Sequence, residues 1–394
     1  MSGDCPQFLR GDLMGNREKQ KQIDSVTGMR GIACICIVCY HFYCLLKGAY
    51  GLSYDAVPWM LSTKYFFEYS KNAVELFFMI SGFLTAWRYR ERIREMSFGS
   101  YFKKRYGRLL VASLAVNLWA LVNIIIRLKI GLTDGVWVPT PLRFVLSVLM
   151  INTGWFTSFK QTLLPVNTTM WFIDVLLLCY LIYYVICRLG KNTPAYIVLC
   201  TVMVVVGWIC LEHTPQLPFL WMYNGRGYAT FFLGALLAEF QASVGREWRS
   251  RISLTWIAFI AVFFIFHMIV GFEQVFGKFG TLNYVRYFEF VVAPGLILAA
   301  LNLRPVERIL SWKALTWLGA LSPAVYYVHN NWIEDCMIVN ALAGEPFDLR
   351  ACPAFLIMLT TTIAVAMIYR KRSMPETSWG ILEYGNGKDL RDSD

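Results

Sequence analysis

The chain has 394 residues, of which 57% are hydrophobic and only 16% are charged, and its formal net charge is +11. Soluble domains contain about 25% charged residues, so this composition does not fit an ordinary water-soluble fold. The Lys and Arg residues lie in the connections between apolar blocks and form no basic domain, which excludes nucleic acid as a partner. The cysteines include no Cys-x-x-Cys motif with a matching second pair, so we expect no metal site.

The apolar blocks have the length of membrane-spanning helices. A block of about 18 residues or more that is nearly free of charge can cross the hydrocarbon core. Inside lipid the backbone must satisfy its own hydrogen bonds, so such blocks form helices. The sequence predicts an all-α polytopic membrane helix bundle with about ten transmembrane helices, at 29–47, 72–88, 107–127, 170–188, 194–211, 227–241, 253–271, 284–301, 314–333 and 351–370.

A further apolar stretch at 141–153 is short and contains Pro141 and Arg143. We interpret it as one short re-entrant or interfacial segment, because counting it as a crossing would place later arginine-rich loops on the wrong side. With ten crossings and a cytoplasmic N-terminus, the loops that follow every second span lie in the cytoplasm, and these are the basic loops. This predicts a cytoplasmic segment 1–28, a membrane domain 29–370 and a cytoplasmic tail 371–394. In the loop before the fourth span, Asn167-Thr168-Thr169 fits a glycosylation acceptor that faces outward.

Two ionisable residues on the first span are candidates for function. Arg30 and His41 are eleven residues apart, so they share a helix face and lie about 16 Å apart along the axis. Ionisable residues at membrane depth are costly and commonly functional, and a histidine can accept a proton near neutral pH. The alternative interpretation is a histidine bonded to a neighbouring helix, with Arg30 as a plain topology anchor.

Glu75 and a pair of arginines are the next candidates. Glu75 lies at the outer end of the second span, where we expect it to approach His41 and orient the imidazole. The alternative is an interfacial glutamate that reaches water. Arg105 and Arg108 share one helix face at the cytoplasmic surface, a pattern that suits phosphate recognition. The alternative there is a cluster that touches lipid phosphates.

Several motifs occur in order along the chain. They are Arg30 with His41, Leu76-Phe77-Phe78-Met79-Ile80-Ser81-Gly82-Phe83-Leu84, Arg105 with Arg108, Met170-Trp171-Phe172, Phe232-Leu233-Gly234, and the segment from Leu318 to His329. Together they resemble the acyltransferase-3 family of integral membrane acyltransferases. The resemblance implies transfer of an acyl group, usually acetyl, from cytoplasmic acyl-CoA to a hydroxyl of a carbohydrate or cell-surface glycan, at a bacterial plasma membrane. No metal is implied, and an oligomer is compatible with the sequence.

The resemblance also implies roles for individual residues. Arg105 and Arg108 would bind CoA phosphates. His41 would act as general base or transient acyl carrier, Glu75 would orient it, and Arg30 would lie on the donor side. A further set would shape the pocket: Ser81, Trp171, Ser322, Tyr326 and His329.

Two other functions stay open from the sequence. One is a polysaccharide or lipid-linked sugar transporter or flippase without acyl-transfer chemistry, which would need no thioester. The other is a membrane sensory or anchoring domain, which an intramembrane histidine disfavours.

Overall fold

The computed structural model describes residues 16–50, 70–133, 136, 138–156, 165–270, 280–345, 348 and 351–373. These residues form helices and turns, with no β-strand among them. The helices are α1 Asn16–Tyr50, α2 Ala73–Glu95, α3 Phe98–Lys129, α4 Pro141–Val148, α5 Trp171–Leu189, α6 Thr193–His213, α7 Met222–Ser243, α8 Arg246–Val270, α9 Gly280–Tyr287, α10 Ala293–Asn302, α11 Arg304–Leu310, α12 Lys313–Leu342 and α13 Cys352–Ser373. A π-helical turn, Phe288–Val292, joins α9 to α10. The all-α bundle predicted from the sequence is confirmed.

Within the described part of the chain, seven segments are long and apolar enough to cross a membrane. They are Ile23–Leu46, Leu109–Lys129, Thr168–Leu189, Thr193–His213, Arg246–Phe266, Tyr284–Asn302 and Cys352–Lys371. The protein is therefore an integral membrane protein. The other three predicted spans fall on α2, α7 and α12, which are long helices of lower hydropathy with many buried residues. Ten crossings and cytoplasmic termini stay predictions.

The interior is built around two close helix pairs, α2 with α7 and α1 with α12. A Cβ on Gly82 of α2 would lie 1.8 Å from the carbonyl oxygen of Phe231 on α7. A Cβ on Gly319 of α12 would lie 1.8 Å from the carbonyl oxygen of Thr27 on α1. Only glycine allows these backbones to approach so closely, which is a common device in membrane helix packing. The two contacts hold four helices together, and three of them, α1, α2 and α12, carry predicted site residues.

The segment before the fourth predicted span does not cross the membrane as a helix. Its helix α4 has 8 residues and is only about 12 Å long. The Thr140 hydroxyl accepts a hydrogen bond from the Arg143 N–H at 3.2 Å and caps the helix, with Pro141 in its first turn. Further along, the Asn167 side chain is 1% exposed and bonds to Tyr327 O and to Thr169. The interpretation of Asn167 as a glycosylation acceptor is therefore wrong, because its amide is enclosed.

Candidate active site

A cavity of about 60 Å³ lies between α1, α2, α5 and α12. Four predicted site residues contribute to its wall: Arg30, Ser81, Ser322 and Tyr326. Most of the remaining wall is apolar and aromatic, formed by Phe77, Leu109, Phe172, Ile173, Leu176, Tyr180, Pro323 and Tyr327. The motifs that are far apart in sequence thus meet at one cavity.

Arg30 places a positive charge on the wall of this cavity. Its side chain is buried, and Nη2 donates a hydrogen bond to Ser322 Oγ at 3.0 Å. The Ser322 hydroxyl donates in turn to Gly319 O at 2.7 Å, which orients the serine oxygen toward the guanidinium. The arrangement fixes Arg30 within the bundle, where a charge acts more strongly than in water.

His41 lies beside His329, which in turn adjoins Tyr326 of the cavity wall. The two imidazole rings meet edge to face with centroids 4.8 Å apart, and the Tyr326 ring centroid is 5.6 Å from that of His329. His329 is fully buried, and its Nδ1–H donates to Val325 O at 3.0 Å. With the proton on Nδ1, the lone pair lies on Nε2, which has no hydrogen-bond partner within the described residues. His41 thus has an uncharged basic nitrogen nearby.

The structure gives Glu75 a different neighbour from the one expected. Its carboxylate Oε1 forms an ion pair with Nε of Arg226 on α7. The guanidinium of Arg226 also lies over the ring of Trp171, 4.7 Å from the ring centroid. The expected carboxylate–imidazole contact is therefore replaced by a Glu75–Arg226 pair, and the ring beside His41 belongs to His329.

Arg105 and Arg108 lie one turn apart on α3, near its N-terminal end. Their side chains fall outside the described residues, so the phosphate-binding role stays a prediction. The next residue, Leu109, lines the cavity. The backbone of Arg108 therefore adjoins the cavity wall on the side that the charge pattern assigns to the cytoplasm.

Comparison with protein-family models gives one match. The acyltransferase-3 model, described as an acyltransferase domain, matches residues 23–371, which is well over half of the chain. The chain belongs to the acyltransferase-3 family. Comparisons with curated proteins and with solved structures gave no match. The family resemblance seen in the sequence motifs is confirmed, and the protein is a membrane acyltransferase.

Two charged residues of this acyltransferase were missed by sequence reasoning. Arg226 lies in the first turns of α7, immediately before the span predicted at 227–241. Glu289 lies inside the span predicted at 284–301 and is fully buried. The signal for Glu289 was present, because a carboxylate at membrane depth is itself a functional indication. No spacing rule connects Arg226 with Glu75, since they are 151 residues apart in the chain.

Proposed function

We propose that the protein transfers an acetyl group from cytoplasmic acetyl-CoA to a hydroxyl of a carbohydrate or cell-surface glycan. The observation that carries this proposal is the His41–His329 pair in contact with Tyr326, a residue of the cavity wall to which Arg30 also belongs. The predicted topology runs α12 outward, and Ser322 precedes His329 along it, so the cavity would lie on the cytoplasmic side of the histidines. A donor from the cytoplasm and an acceptor from outside would meet at the histidines.

The size of the cavity supports a short acyl group. A dry cavity of about 150 Å³ holds benzene, whereas this one measures about 60 Å³. By that comparison it accommodates roughly two to four heavy atoms, the size of an acetyl or propionyl group. The aromatic wall suits the methyl end, and Arg30 suits the thioester carbonyl oxygen.

The donor's phosphates would bind at the cytoplasmic beginning of α3. Arg105 and Arg108 share a helix face there, and paired guanidinium groups bind phosphates through charge-assisted hydrogen bonds. From that position the thioester arm would reach past Leu109 into the cavity.

The chemical step needs one base. His41 takes the proton of the acceptor hydroxyl while the hydroxyl oxygen attacks the thioester carbonyl carbon. A carbon–oxygen bond forms and the carbon–sulfur bond breaks, giving an ester and CoA thiolate, which recovers the proton. The free Nε2 of His329 would accept a hydrogen bond from protonated His41 and stabilise it, the orienting role that a carboxylate has in catalytic triads.

The rival function is export of a polysaccharide or lipid-linked sugar without chemistry. Such a transporter would have no use for a thioester, and a cavity of acetyl size would be too small for a sugar ring. Binding of acetyl-CoA and appearance of the acetyl group on a glycan separate the two functions.

His41→Ala is the decisive variant. General-base assistance is worth about 10²–10⁴-fold in rate, so transfer of radiolabelled acetyl from acetyl-CoA to membrane glycans should fall by that factor. Donor binding and the amount of folded protein should not change. His213→Ala, at the exposed end of α6, is the matched control and should retain full activity. Near wild-type transfer by His41→Ala would refute the catalytic role and favour the transporter.

A further inference from the structure

Two buried Glu–Arg ion pairs join α2 and α7. In one the glutamate belongs to α2, and in the other it belongs to α7. Near one end Glu75 of α2 pairs with Arg226 of α7, and near the other Arg90 of α2 pairs with Glu239 of α7. Both oxygens of Glu239 have partners, because Oε2 binds Arg90 and Oε1 accepts from Ser243 at 3.2 Å. Glu75 differs, since its Oε2 is buried without a hydrogen-bond partner among the described residues. Glu239 therefore has both oxygens satisfied, whereas Glu75 leaves one acceptor without a partner.

A second carboxylate adjoins the open pair. Glu289 is 0% exposed and interacts electrostatically with Glu75, Arg226 and Arg286. Neither Oε1 nor Oε2 has a hydrogen-bond partner within the described part of the chain. Buried polar atoms without partners are rare in native proteins and require an explanation such as a bound ligand. Three buried carboxyl oxygens of two interacting residues thus have no hydrogen-bond donor among the described residues.

The backbone at Glu289 is also unusual. The turn Phe288–Val292 is π-helical, and Pro294 follows it. Pro294 has no N–H to donate to the preceding turn, which accounts for a break in the regular helix. Such π-turns occur frequently at functional sites, because they displace one side chain from the regular helical position. Here the displaced segment carries the carboxylate.

Aromatic rings adjoin the charged groups. Trp171 lies under the Arg226 guanidinium and packs on Tyr223 with ring centroids 4.5 Å apart, and Trp221 meets Tyr223 at 4.7 Å. All three rings are half-buried. Glu75, Trp171 and Arg226 each lie near the first residues of their helices, at the end opposite the arginine-rich loops.

We propose that Glu75, Arg226 and Glu289 form the binding subsite for the sugar ring of the acceptor, with Trp171 and Tyr223 against its apolar face. This inference rests on the proposed transfer to a carbohydrate. The unpartnered carboxyl oxygens accept hydrogen bonds, and hydroxyl groups on a sugar ring supply several donors at once. A metal ion is a poor guest, since no group of three or more His, Cys, Asp or Glu in the described ranges is placed to hold one.

The test uses the full-length protein in lipid nanodiscs and three probes, the methyl β-glycosides of glucose, galactose and N-acetylglucosamine. Saturation-transfer NMR should show saturable binding of at least one of them to the wild type. Glu289→Gln breaks no hydrogen bond of Glu289 and should fold normally, yet it should weaken that binding about tenfold or more, the range expected for lost bonds to a charged group. Glu75→Gln should have an effect of similar size.

Glu239→Gln is the matched control, because it neutralises the glutamate of the Arg90–Glu239 ion pair on the same two helices. It should leave glycoside binding unchanged. Full glycoside binding by Glu289→Gln, or no glycoside binding by a wild type that binds acetyl-CoA, would overturn the subsite. Glycoside binding by a protein that does not bind acetyl-CoA would support the subsite and refute the proposed transfer.

Discussion

Phe77 lies on the cavity wall beside Tyr326, the residue that contacts His329. Its ring lines the cavity and lies near Phe172 and Tyr326, with centroid distances of 6.2 and 6.5 Å. Tyr326 in turn contacts His329. A methyl group at this end of the cavity would therefore touch Phe77, and each extra carbon of the acyl chain would collide with its ring. In the proposed reaction Phe77 limits chain length.

Phe77→Ala should change which donors the enzyme uses. The wild type should prefer acetyl-CoA and react poorly with butyryl-CoA, whereas the variant should accept butyryl-CoA and lose much of its preference. Removing a buried phenylalanine ring costs about 3–5 kcal/mol of stability, so Phe232→Ala serves as the control. Phe232 is also fully buried but lies outside the cavity wall. The measurement is the ratio of initial rates with the two donors, and an unchanged ratio in Phe77→Ala would contradict the role.

Individual residues show how far the sequence could lead. Arg30, Ser81, Ser322 and Tyr326 were assigned to one site by motif, and all four line one cavity. The partner of Glu75 could not be predicted, because helix spacing relates only residues within a few turns of each other. Arg226 reaches Glu75 through tertiary packing of α2 on α7, and that packing is invisible in either segment alone.

The helices themselves were more predictable than their contacts. Each predicted span lies on one of the observed helices or on the α9–α10 segment, because hydrophobic length and backbone hydrogen bonding determine them locally. The sequence motifs include these glycines, but they do not show which helices the glycines contact. Gly82 and Gly234 lie where α2 and α7 cross, and a Cβ on Gly234 would lie 2.1 Å from the Met79 carbonyl oxygen. The small residues determine which helices meet.

Gly82→Ala should force α2 and α7 apart, because its Cβ would overlap the carbonyl of Phe231 on a rigid backbone. Overpacking of this kind typically costs about 1–3 kcal/mol, so the thermal midpoint of the purified protein should fall clearly. Gly99→Ala is the matched helical control. A Cβ there has nothing within 4 Å, and the change should be neutral or slightly stabilising. Equal midpoints for the two variants would show that the close crossing is not required.

The whole bundle has a polar axis that runs from one membrane face to the other. On one side Arg30 with Ser322 is followed along α1 and α12 by Tyr326 and the two histidines, and Glu75 with Arg226 forms a separate pair between α2 and α7. The arginine-rich loops predict that Arg30 faces the cytoplasm. Donor and acceptor would approach from opposite sides, so the proposed reaction depends on this orientation.

A native cysteine tests the orientation. Cys352 begins α13 and is exposed, whereas the other cysteines of the described ranges are buried or half-buried. We expect a membrane-impermeant maleimide to label Cys352 from the outer face of intact cells. Cys352→Ser should abolish that labelling. Labelling of Cys352 only in inside-out vesicles would reverse the orientation and contradict the cytoplasmic assignment of the arginine-rich loops.

The ion pairs between α2 and α7 also have a consequence for how the protein is made. A charge buried within a membrane helix is costly until it is paired, and neither helix is among the strongly apolar segments. Glu75 and Arg90 both pair with residues that are synthesised more than a hundred residues later. Until α7 has been synthesised, α2 must therefore stay out of contact with lipid, beside the translocation channel or an early helix such as α1. Its final docking follows translation of α7, so truncation before that helix would leave a nascent chain open to quality-control proteases.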